Sequence, residues 1–303
     1  MKIPHEPNII FITLDSCRWD TFQKAKTPFL DSIGKAKKAI TYGTFTNPAH
    51  AAFFGGFLPN VFEEKEEFYS FPLGQIWKLN VSTKKKQNAK INMTGNTILD
   101  AYEKKNYFVL GVGGVKAFHK SGVLRKFFKH FIYFGVNKKA DAFDERKNNQ
   151  FALNHNKIIT NRLKHHNKFF LFLNCMETHY PYDFGDGLPK EILDYKKELE
   201  SIVNLRENNV TIPEKIFTQL KRMQISSLEA ADTRIERLFS ALPKHRDLLV
   251  IICGDHGENI GETYQGKKRL GHLIPTNQIF EVPLIIGVIK KSKNSLSKLK
   301  KQL

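Results

Sequence analysis

The 303-residue chain has no hydrophobic run long enough to cross a membrane, and it has few cysteines. Its longest apolar stretches, such as residues 169–173 and 248–253, fall far short of the ~20 residues that a membrane-spanning helix needs. Because the N-terminus also has no apolar signal-peptide core, we expect a cytoplasmic protein. Cys17, Cys175 and Cys253 lie on or beside apolar segments, which indicates reduced, buried thiols rather than a disulfide framework.

Acidic residues are scarce relative to basic ones. The chain has 30 Asp and Glu against 48 Lys and Arg, which gives a net charge of +18. Such an excess indicates an anionic partner: a phosphorylated or sulfated small molecule, nucleic acid or an anionic membrane surface. A lysine-rich solvated surface without a specific partner is the alternative. Basic stretches at 116–139 and 290–301 would suit nucleic acid, and residues 290–303 are predicted to form a basic tail.

Short apolar segments alternate with helical patterns along the chain. We predict strands at residues 8–14, 107–112, 168–176, 247–254 and 283–288. We predict helices at residues 27–38, 48–55, 96–105, 149–165, 188–207 and 214–242. This alternation predicts an α/β fold with a mostly parallel central sheet flanked by helices on both faces.

The length of the chain suits one α/β domain over residues 1–303, with a cap or insertion within 60–167. Residues 124–134 mix basic and aromatic side chains. We interpret them as a cap that packs its aromatic side chains over the sheet. Binding to a membrane interface or to nucleic acid is the alternative for this segment.

Polar residues follow the ends of three predicted strands. Asp15 follows the first strand, Glu177 and His179 follow the third, and Asp255 and His256 follow the fourth. Any one of them could be an ordinary turn or helix-capping residue. Because the carboxyl ends of parallel strands share one edge of a sheet, their joint placement predicts a functional site.

Asp15, Asp255, His256 and the hydroxyl of Thr46 form a set that could bind a divalent metal. The nitrogen ligand favours zinc or manganese over magnesium or calcium. A bound metal would lower the pKa of the Thr46 hydroxyl and make it a nucleophile. Since Pro48 suits the first turn of a helix, Thr46 would lie at a helix N-terminus, which also favours anions.

A second group of side chains could hold a second ion or contact the oxygens of a substrate. It consists of Glu177, His179 and His272. Lys268, in the basic run 267–269, is a candidate for neutralising the charge of the transferred group. The sequence therefore predicts one or two metal ions and an anionic ester substrate.

Four motifs, in this order, resemble those of the alkaline phosphatase superfamily, and specifically its sulfatase-like branch. Residues 14–20 (LDSCRWD) resemble the first metal motif of that branch, and residues 46–50 (TNPAH) resemble the nucleophile motif of its nucleotide pyrophosphatase and phosphodiesterase members. Residues 177–182 (ETHYPY) resemble its substrate loop. Residues 254–258 (GDHGE), with the later Gly271-His272, resemble its C-terminal metal motif. The matching blocks are 8–59, 168–182 and 247–284.

The resemblance implies an alkaline phosphatase-like three-layer sandwich. It implies that Asp15, Asp255 and His256 ligate the metal and that Thr46 is both nucleophile and ligand. The residues left for a second metal or for substrate binding are Glu177, His179, His272, Asn47 and Lys268.

Two departures from the sulfatase pattern restrict the substrates and metal ions that we expect. Sulfatases carry a Cys or Ser that is oxidised to formylglycine, followed by Pro and Arg, whereas this chain has Thr46 and His50 at those positions. This argues against cleavage of sulfate esters. Ser16 stands where sulfatases usually have a second Asp, so the site has fewer oxygen ligands and suits calcium less well.

We therefore expect a metal-dependent hydrolase of phosphoric mono- or diesters that forms a phosphothreonine intermediate on Thr46. The alternatives are a phosphotransferase of the phosphoethanolamine type, a hydrolase of another anionic ester, a nucleic-acid-associated phosphodiesterase, or a non-catalytic basic binding protein. The complete set of candidate metal ligands favours an enzyme.

Overall fold

A computed structural model of the chain describes residues 2–56, 97–135, 150–182, 187–203, 211–272 and 274–291. The strands of its central sheet are β1 (Asn8–Leu14), β2 (Lys37–Ile40), β3 (Phe108–Gly113), β4 (His130–Tyr133), β5 (Phe169–Cys175), β6 (Leu248–Gly254) and β9 (Glu281–Ile289). A separate hairpin consists of β7 (Asn259–Tyr264) and β8 (Lys267–Gly271).

The seven strands of the sheet are arranged in the order β2-β9-β6-β1-β5-β3-β4. The pairs β6–β1, β1–β5, β5–β3 and β3–β4 are parallel, and β9 pairs antiparallel with both β6 and β2. The apolar strand β5 is buried along its whole length, as expected for a strand covered on both faces. The predicted mostly parallel sheet is confirmed.

The helices of the described residues flank this sheet. They are α1 (Trp19–Phe22), α2 (Pro28–Ile33), α3 (Thr46–Gly55), α4 (Ile98–Lys104), α5 (Asn156–Leu163), α6 (Lys190–Leu193), α7 (Lys196–Val203), α8 (Glu214–Ala241) and α9 (Asn277–Phe280). Short 3₁₀ turns occupy Lys116–Phe118, Leu124–Phe127 and Ala152–His155.

Each face of the sheet has its own hydrophobic core. On one face, Ile10 and Ile12 of β1 pack with side chains of α2, α5 and α8. On the other face, Ile9 and Phe172 pack with Phe54 of α3 and Leu99 of α4. The predicted three-layer sandwich is therefore confirmed, and a third core joins the hairpin to α7 and the first half of α8.

The structure corrects several predicted elements. The helix predicted at 27–38 ends at Ile33, and Lys37–Ile40 forms the edge strand β2 instead. The predicted helix 188–207 is divided into α6 and α7, and the helix predicted at 149–165 begins as a 3₁₀ turn. The hairpin β7–β8 was not predicted.

The predicted cap at 124–134 is correct only in part. Its aromatic residues Phe128 and Phe131 do pack with Phe118 and Phe172 over one face of the sheet. However, residues 130–133 form β4, an edge strand of the sheet itself.

Residues 97–135 supply α4, β3 and β4 to the main domain. A cap or insertion would therefore have to lie in 57–96 or 136–149, which are outside the described residues, as is 292–303 of the basic tail. No helix in the described part of the chain is both long and apolar enough to span a bilayer.

Candidate active site

Asp15, Asp255 and His256 converge at the carboxyl edge of the sheet. Asp15 follows β1, and the other two follow the adjacent parallel strand β6, with Leu14 paired to Gly254. One ligand atom of each side chain lies within 4.8 Å of the others. His256 Nε2 is 3.8 Å from Asp15 Oδ1 and 3.6 Å from Asp255 Oδ2. All three residues are fully buried.

The hydrogen bonds of this cluster leave the ligand atoms available. The pattern assigns a proton to His256 Nδ1, which donates to the Gly257 carbonyl at 2.8 Å and leaves the lone pair on Nε2. Asp255 Oδ1 accepts hydrogen bonds from the backbone N–H groups of Ser16 (3.1 Å) and His256 (2.9 Å). Within the described residues, His256 Nε2 and Asp255 Oδ2 are buried without a hydrogen-bond partner. Buried polar atoms without partners are rare and costly, so this pair fits a bound cation.

The pKa shifts of the two carboxylates also fit a bound cation. Burial, and then the charge of Asp15, raises the pKa of Asp255 well above its usual value. Burial also acts to raise the pKa of Asp15, but the charges of His179 and His256 and the Asn174 amide outweigh it and lower that pKa. A cation between the two carboxylates would relieve their repulsion and favour ionisation of both.

Thr46 is the first residue of α3 and is buried. Its carbonyl oxygen accepts a hydrogen bond from His50 Nδ1 at 2.8 Å, and the same nitrogen lies 3.6 Å from Asp255 Oδ2. A Cβ atom on Gly43 would lie 2.2 Å from the backbone nitrogen of Ala49. The first turn of α3 is therefore packed directly on the Gly43 backbone, which fixes the position of Thr46.

A chain of polar groups joins α3 to the first carboxylate. Asn174 Nδ2 donates to Thr13 Oγ1 at 3.2 Å and to Asp15 Oδ2 at 3.0 Å. The Thr13 hydroxyl lies 3.0 Å from His50 Nε2 and donates to it, because Nδ1 carries the proton. Burial lowers the pKa of His50 to about 4. Sequence reasoning missed Thr13 and Asn174, although a polar residue inside each of two apolar strands was a signal.

His179 and His272 lie beside the three candidate ligands. The ring centroids of His272 and His256 are 4.7 Å apart, and those of His272 and His179 are 5.6 Å apart. The loop after β5 carries His179, and His272 directly follows β8. The structure therefore brings both predicted histidines to the same edge of the sheet.

Glu258 is a further buried carboxylate at this edge, and sequence reasoning did not select it although it belongs to the GDHGE motif. Its Oε2 accepts hydrogen bonds from the Tyr182 hydroxyl at 2.6 Å and from the Tyr180 N–H at 3.3 Å. Its Oε1 is 3.5 Å from His272 Nδ1. Burial acts to raise the pKa of Glu258, but the contacts with His272 and the charge of His179 outweigh it and lower that pKa.

Two further predicted residues lie within ion-pair distance of charged residues on α8. Glu177 Oε1 is 3.6 Å from Arg234 Nη1 of α8. Lys268 has a 43% exposed side chain, and its Nζ lies 2.9 Å from the carboxylate of Glu214. Asn47 follows Thr46 in α3, and its Oδ1 is buried without a hydrogen-bond partner in the described part of the chain.

The long helix α8 fixes the loops that carry the site. Gln224 Nε2 donates to the carbonyl oxygens of Ser16 at 2.9 Å and Thr178 at 3.2 Å. The Thr178 hydroxyl donates to the Asp15 carbonyl oxygen at 2.6 Å. One helix thus ties the loop after β1 to the loop after β5.

Comparisons with known proteins identify a family and related folds. A family model described as Sulfatase matches residues 7–302. No curated protein sequence matches the chain. Among solved structures, the C-terminal periplasmic domain of EcEptC from Escherichia coli, in complex with Zn, has a TM-score of 0.58 and 12% identity over 97% of this chain and 76% of that chain.

Two further solved structures show the same fold. Phosphonate monoester hydrolase of Agrobacterium radiobacter has a TM-score of 0.60 and 12% identity, covering 92% of this chain and 68% of that chain. The C-terminal periplasmic domain of phosphoethanolamine transferase EptC from Campylobacter jejuni has a TM-score of 0.53 and 13% identity, covering 98% and 83%. At these identities the likeness concerns the fold.

Proposed function

The chain belongs to the sulfatase family, and we propose that it is a metal-dependent enzyme that cleaves or transfers phosphoric esters. The observation that carries the proposal is the convergence of Asp15, Asp255 and His256, with ligand atoms within 4.8 Å of one another, beside the helix that begins at Thr46. Such a cluster of buried charges would be unfavourable for stability alone, which supports a role in binding and catalysis.

The donor set fits a divalent cation with nitrogen and oxygen ligands. One oxygen each from Asp15 and Asp255, together with His256 Nε2, would hold zinc or manganese. The Thr46 hydroxyl and, in a two-metal arrangement, His179 and His272 are the further candidates. When bound, the ion would act as a Lewis acid that lowers the pKa of the Thr46 hydroxyl and neutralises charge on the transferred group.

In the proposed reaction, Thr46 is the nucleophile. Its hydroxyl loses its proton, its oxygen forms a bond to phosphorus, and the bond between phosphorus and the leaving alcohol breaks. Water, which gives hydrolysis, or a second alcohol, which gives transfer, then attacks the phosphorus of the phosphothreonine and breaks its bond to Thr46 Oγ1. The proton lost by Thr46 goes to the leaving alcohol, and the proton lost by the second nucleophile restores the Thr46 hydroxyl. His179 and His272 would contact the oxygens of the transferred group.

Phosphorus is favoured over sulfur because Thr46 cannot be converted to formylglycine. The names of the structural neighbours include both chemistries, a phosphonate monoester hydrolase and a phosphoethanolamine transferase as well as a sulfatase, so the choice rests on Thr46. A hydrolase of another anionic ester and a non-catalytic binding protein remain the competing functions, and the experiment below separates them.

The test is a panel of chromogenic phosphate monoesters, phosphate diesters and sulfate esters, assayed with zinc, manganese and magnesium and with and without an added alcohol acceptor. We expect metal-dependent turnover of a phosphoric ester and a phosphothreonine at Thr46, detected by mass spectrometry. Thr46→Ala should lose at least about 10³-fold in kcat, because it removes the nucleophile, while keeping its bound metal.

Thr46→Ser is the matched variant, since it keeps a hydroxyl at the same position and should retain part of the activity. Full activity in Thr46→Ala would exclude the proposed nucleophile. A wild-type protein that binds no divalent metal would favour the binding protein, and preferred turnover of sulfate esters would reassign the substrate.

A further inference from the structure

Glu258 uses its two carboxylate oxygens for different partners. Oε2 accepts hydrogen bonds from Tyr182 and Tyr180, in the loop that follows His179. Oε1 faces His272 Nδ1 at 3.5 Å, and the side chain of Glu258 is only 1% exposed. A buried carboxylate thus joins the loop after β5 to the end of the hairpin, at the edge of the sheet that carries the site.

In two of the three histidines of the site Nδ1 donates a hydrogen bond, whereas His272 Nδ1 lies near an acceptor without a hydrogen bond in the described part of the chain. His256 Nδ1 donates to the Gly257 carbonyl at 2.8 Å, and His179 Nδ1 donates to the Tyr180 carbonyl at 2.6 Å. For His272, the group that faces Nδ1 is the Glu258 carboxylate instead of a backbone carbonyl. When Nδ1 of an imidazole is held by an acceptor, the ring is oriented and Nε2 is left for a ligand.

We propose that Glu258 is a positioning residue: it holds His272 Nδ1 and thereby directs Nε2 to the anionic ester bound beside His256. This inference rests on the proposed function, because it names a residue that acts on the substrate through His272. Glu258 itself touches no substrate. The ring of His272 lies 4.7 Å from that of His256, so a contact at its Nε2 would fall next to the candidate metal ligands.

The competing explanation is that Glu258 only stabilises the loop of Tyr180 and Tyr182. The two explanations concern different oxygens, so they can be separated. Glu258→Gln keeps an acceptor oxygen for the tyrosines but replaces the other oxygen by an NH₂ group, which cannot accept a hydrogen bond from His272 Nδ1. Tyr182→Phe removes the hydroxyl bonded to Oε2 and leaves Oε1 unchanged.

The experiment measures KM for the best chromogenic ester and the Kd of inorganic phosphate for the zinc-loaded protein. We expect Glu258→Gln to weaken both by about tenfold, as for other groups that orient a functional histidine, while zinc affinity changes less than about threefold. Tyr182→Phe should lower Tm, since a single buried hydrogen bond is lost, and should leave the contact between Glu258 Oε1 and His272 in place.

A double-mutant cycle tests whether Glu258 acts through His272. In the His272→Ala background, Glu258→Gln should have no further effect on KM or on phosphate binding. The matched control is Glu262→Gln on the same hairpin, because Glu262 pairs with Arg18 and Lys221 rather than with a histidine. Additive effects of Glu258→Gln and His272→Ala would overturn the proposal.

A readout independent of turnover separates this proposal from the proposed function. The side-chain ¹⁵N resonances of His272 should shift in Glu258→Gln and remain in place in Glu262→Gln. If the wild type turns over no ester and the His272 resonances still depend on Glu258, the proposed function fails and the positioning stands. Unchanged His272 resonances in a folded Glu258→Gln variant would overturn the positioning.

Glu258→Asp is the second variant, for the case that Glu258→Gln does not fold. Its shorter side chain withdraws the carboxylate from His272. Wild-type phosphate affinity in Glu258→Asp would likewise overturn the proposal.

Discussion

His50 Nδ1 donates a hydrogen bond to the Thr46 carbonyl oxygen at 2.8 Å, and both residues belong to the first two turns of α3. The other ring nitrogen, Nε2, accepts from Thr13. Both nitrogens are therefore used within the protein, and the imidazole is neutral. In the sulfatase pattern an arginine occupies this position in the motif, so the neutral His50 replaces a positive charge beside Thr46, the proposed nucleophile.

The burial of His50 predicts a loss of stability in acid. Its pKa is lowered from 6.5 to about 4, so the folded state resists protonation that the unfolded chain accepts. The contribution of His50 to the free energy of unfolding is fully present above pH 6.5. It falls by about 3 kcal/mol as the pH is lowered from 6.5 towards 4. Urea unfolding of wild type and His50→Gln at pH 7 and pH 4 measures the difference. His5→Gln, at an exposed position, is the control, and an unchanged pH dependence in His50→Gln would contradict the prediction.

Asp255 is expected to contribute to metal affinity and to oppose stability in the metal-free protein. Asp255→Asn should weaken zinc binding at least about 100-fold, because it removes a charged ligand. The same variant should be more stable than wild type without metal above the usual aspartate pKa of 3.8, since the raised pKa of Asp255 makes ionisation unfavourable there. Calorimetry with zinc and thermal unfolding with a chelator measure the two effects.

Asp232→Asn provides a matched control for that prediction. Asp232 is also a buried aspartate, but its oxygens accept from the backbone N–H groups of Phe29 (3.2 Å) and Leu30 (2.8 Å) at the start of α2. Its replacement should leave zinc affinity unchanged, because Asp232 is not among the candidate ligands. Equal losses of zinc affinity in the two variants would indicate a general structural effect.

Gln224→Ala is expected to affect both stability and the site. It leaves the carbonyl oxygens of Ser16 and Thr178 without their donor, which should cost about 1–3 kcal/mol. Because Ser16 and Thr178 both contact Asp15 or Asp255, zinc affinity should also fall. Gln219→Ala, at a half-buried position of the same helix, is the control. A Gln224→Ala protein with lowered Tm and wild-type zinc affinity would show that α8 does not fix the site.

Lys268 and His272 are expected to differ in their effect on activity, although both were selected from the sequence. Lys268 is paired with Glu214 at the surface, and such exposed pairs contribute little. Lys268→Ala should therefore change kcat/KM by less than about fivefold, whereas His272→Ala should lower it by at least about 100-fold. Steady-state kinetics on the best substrate measures kcat/KM for both variants. A large loss of kcat/KM in Lys268→Ala would contradict the prediction and indicate that this lysine acts on the substrate.

The parts of the fold that the sequence predicted are those with a strong local signal. The strands β1, β5 and β6 are mainly apolar and almost completely buried, because both faces of the sheet are covered there. The edge strands β2 and β4 were missed, since β2 is almost entirely exposed and the short apolar run of β4 lies in the basic and aromatic segment that was interpreted as a cap. The hairpin was missed because its register contains an irregularity near Glu262, which breaks a simple alternation.

Some residues of the candidate site could likewise be predicted from the sequence, and others could not. Asp15, Asp255 and His256 could be predicted because strand ends share one edge of a parallel sheet, and this depends only on topology. Glu177 has the same local signal, yet its carboxylate faces Arg234, whose position on α8 no local pattern indicates. Glu258 was overlooked for the same reason, since its importance comes from residues on two other loops.

Thr13 lies inside strand β1 and is fully buried. Its hydroxyl nevertheless links the Asn174 amide to His50, and through His50 it supports the backbone of Thr46. A valine at this position would fit the sheet in shape and hydrophobicity and would remove the hydroxyl. In a mutational scan scored by activity, substitutions of Thr13 would therefore reduce activity although the residue lies inside the first strand. The exposed fraction of a side chain would then be a poor guide to which positions tolerate substitution.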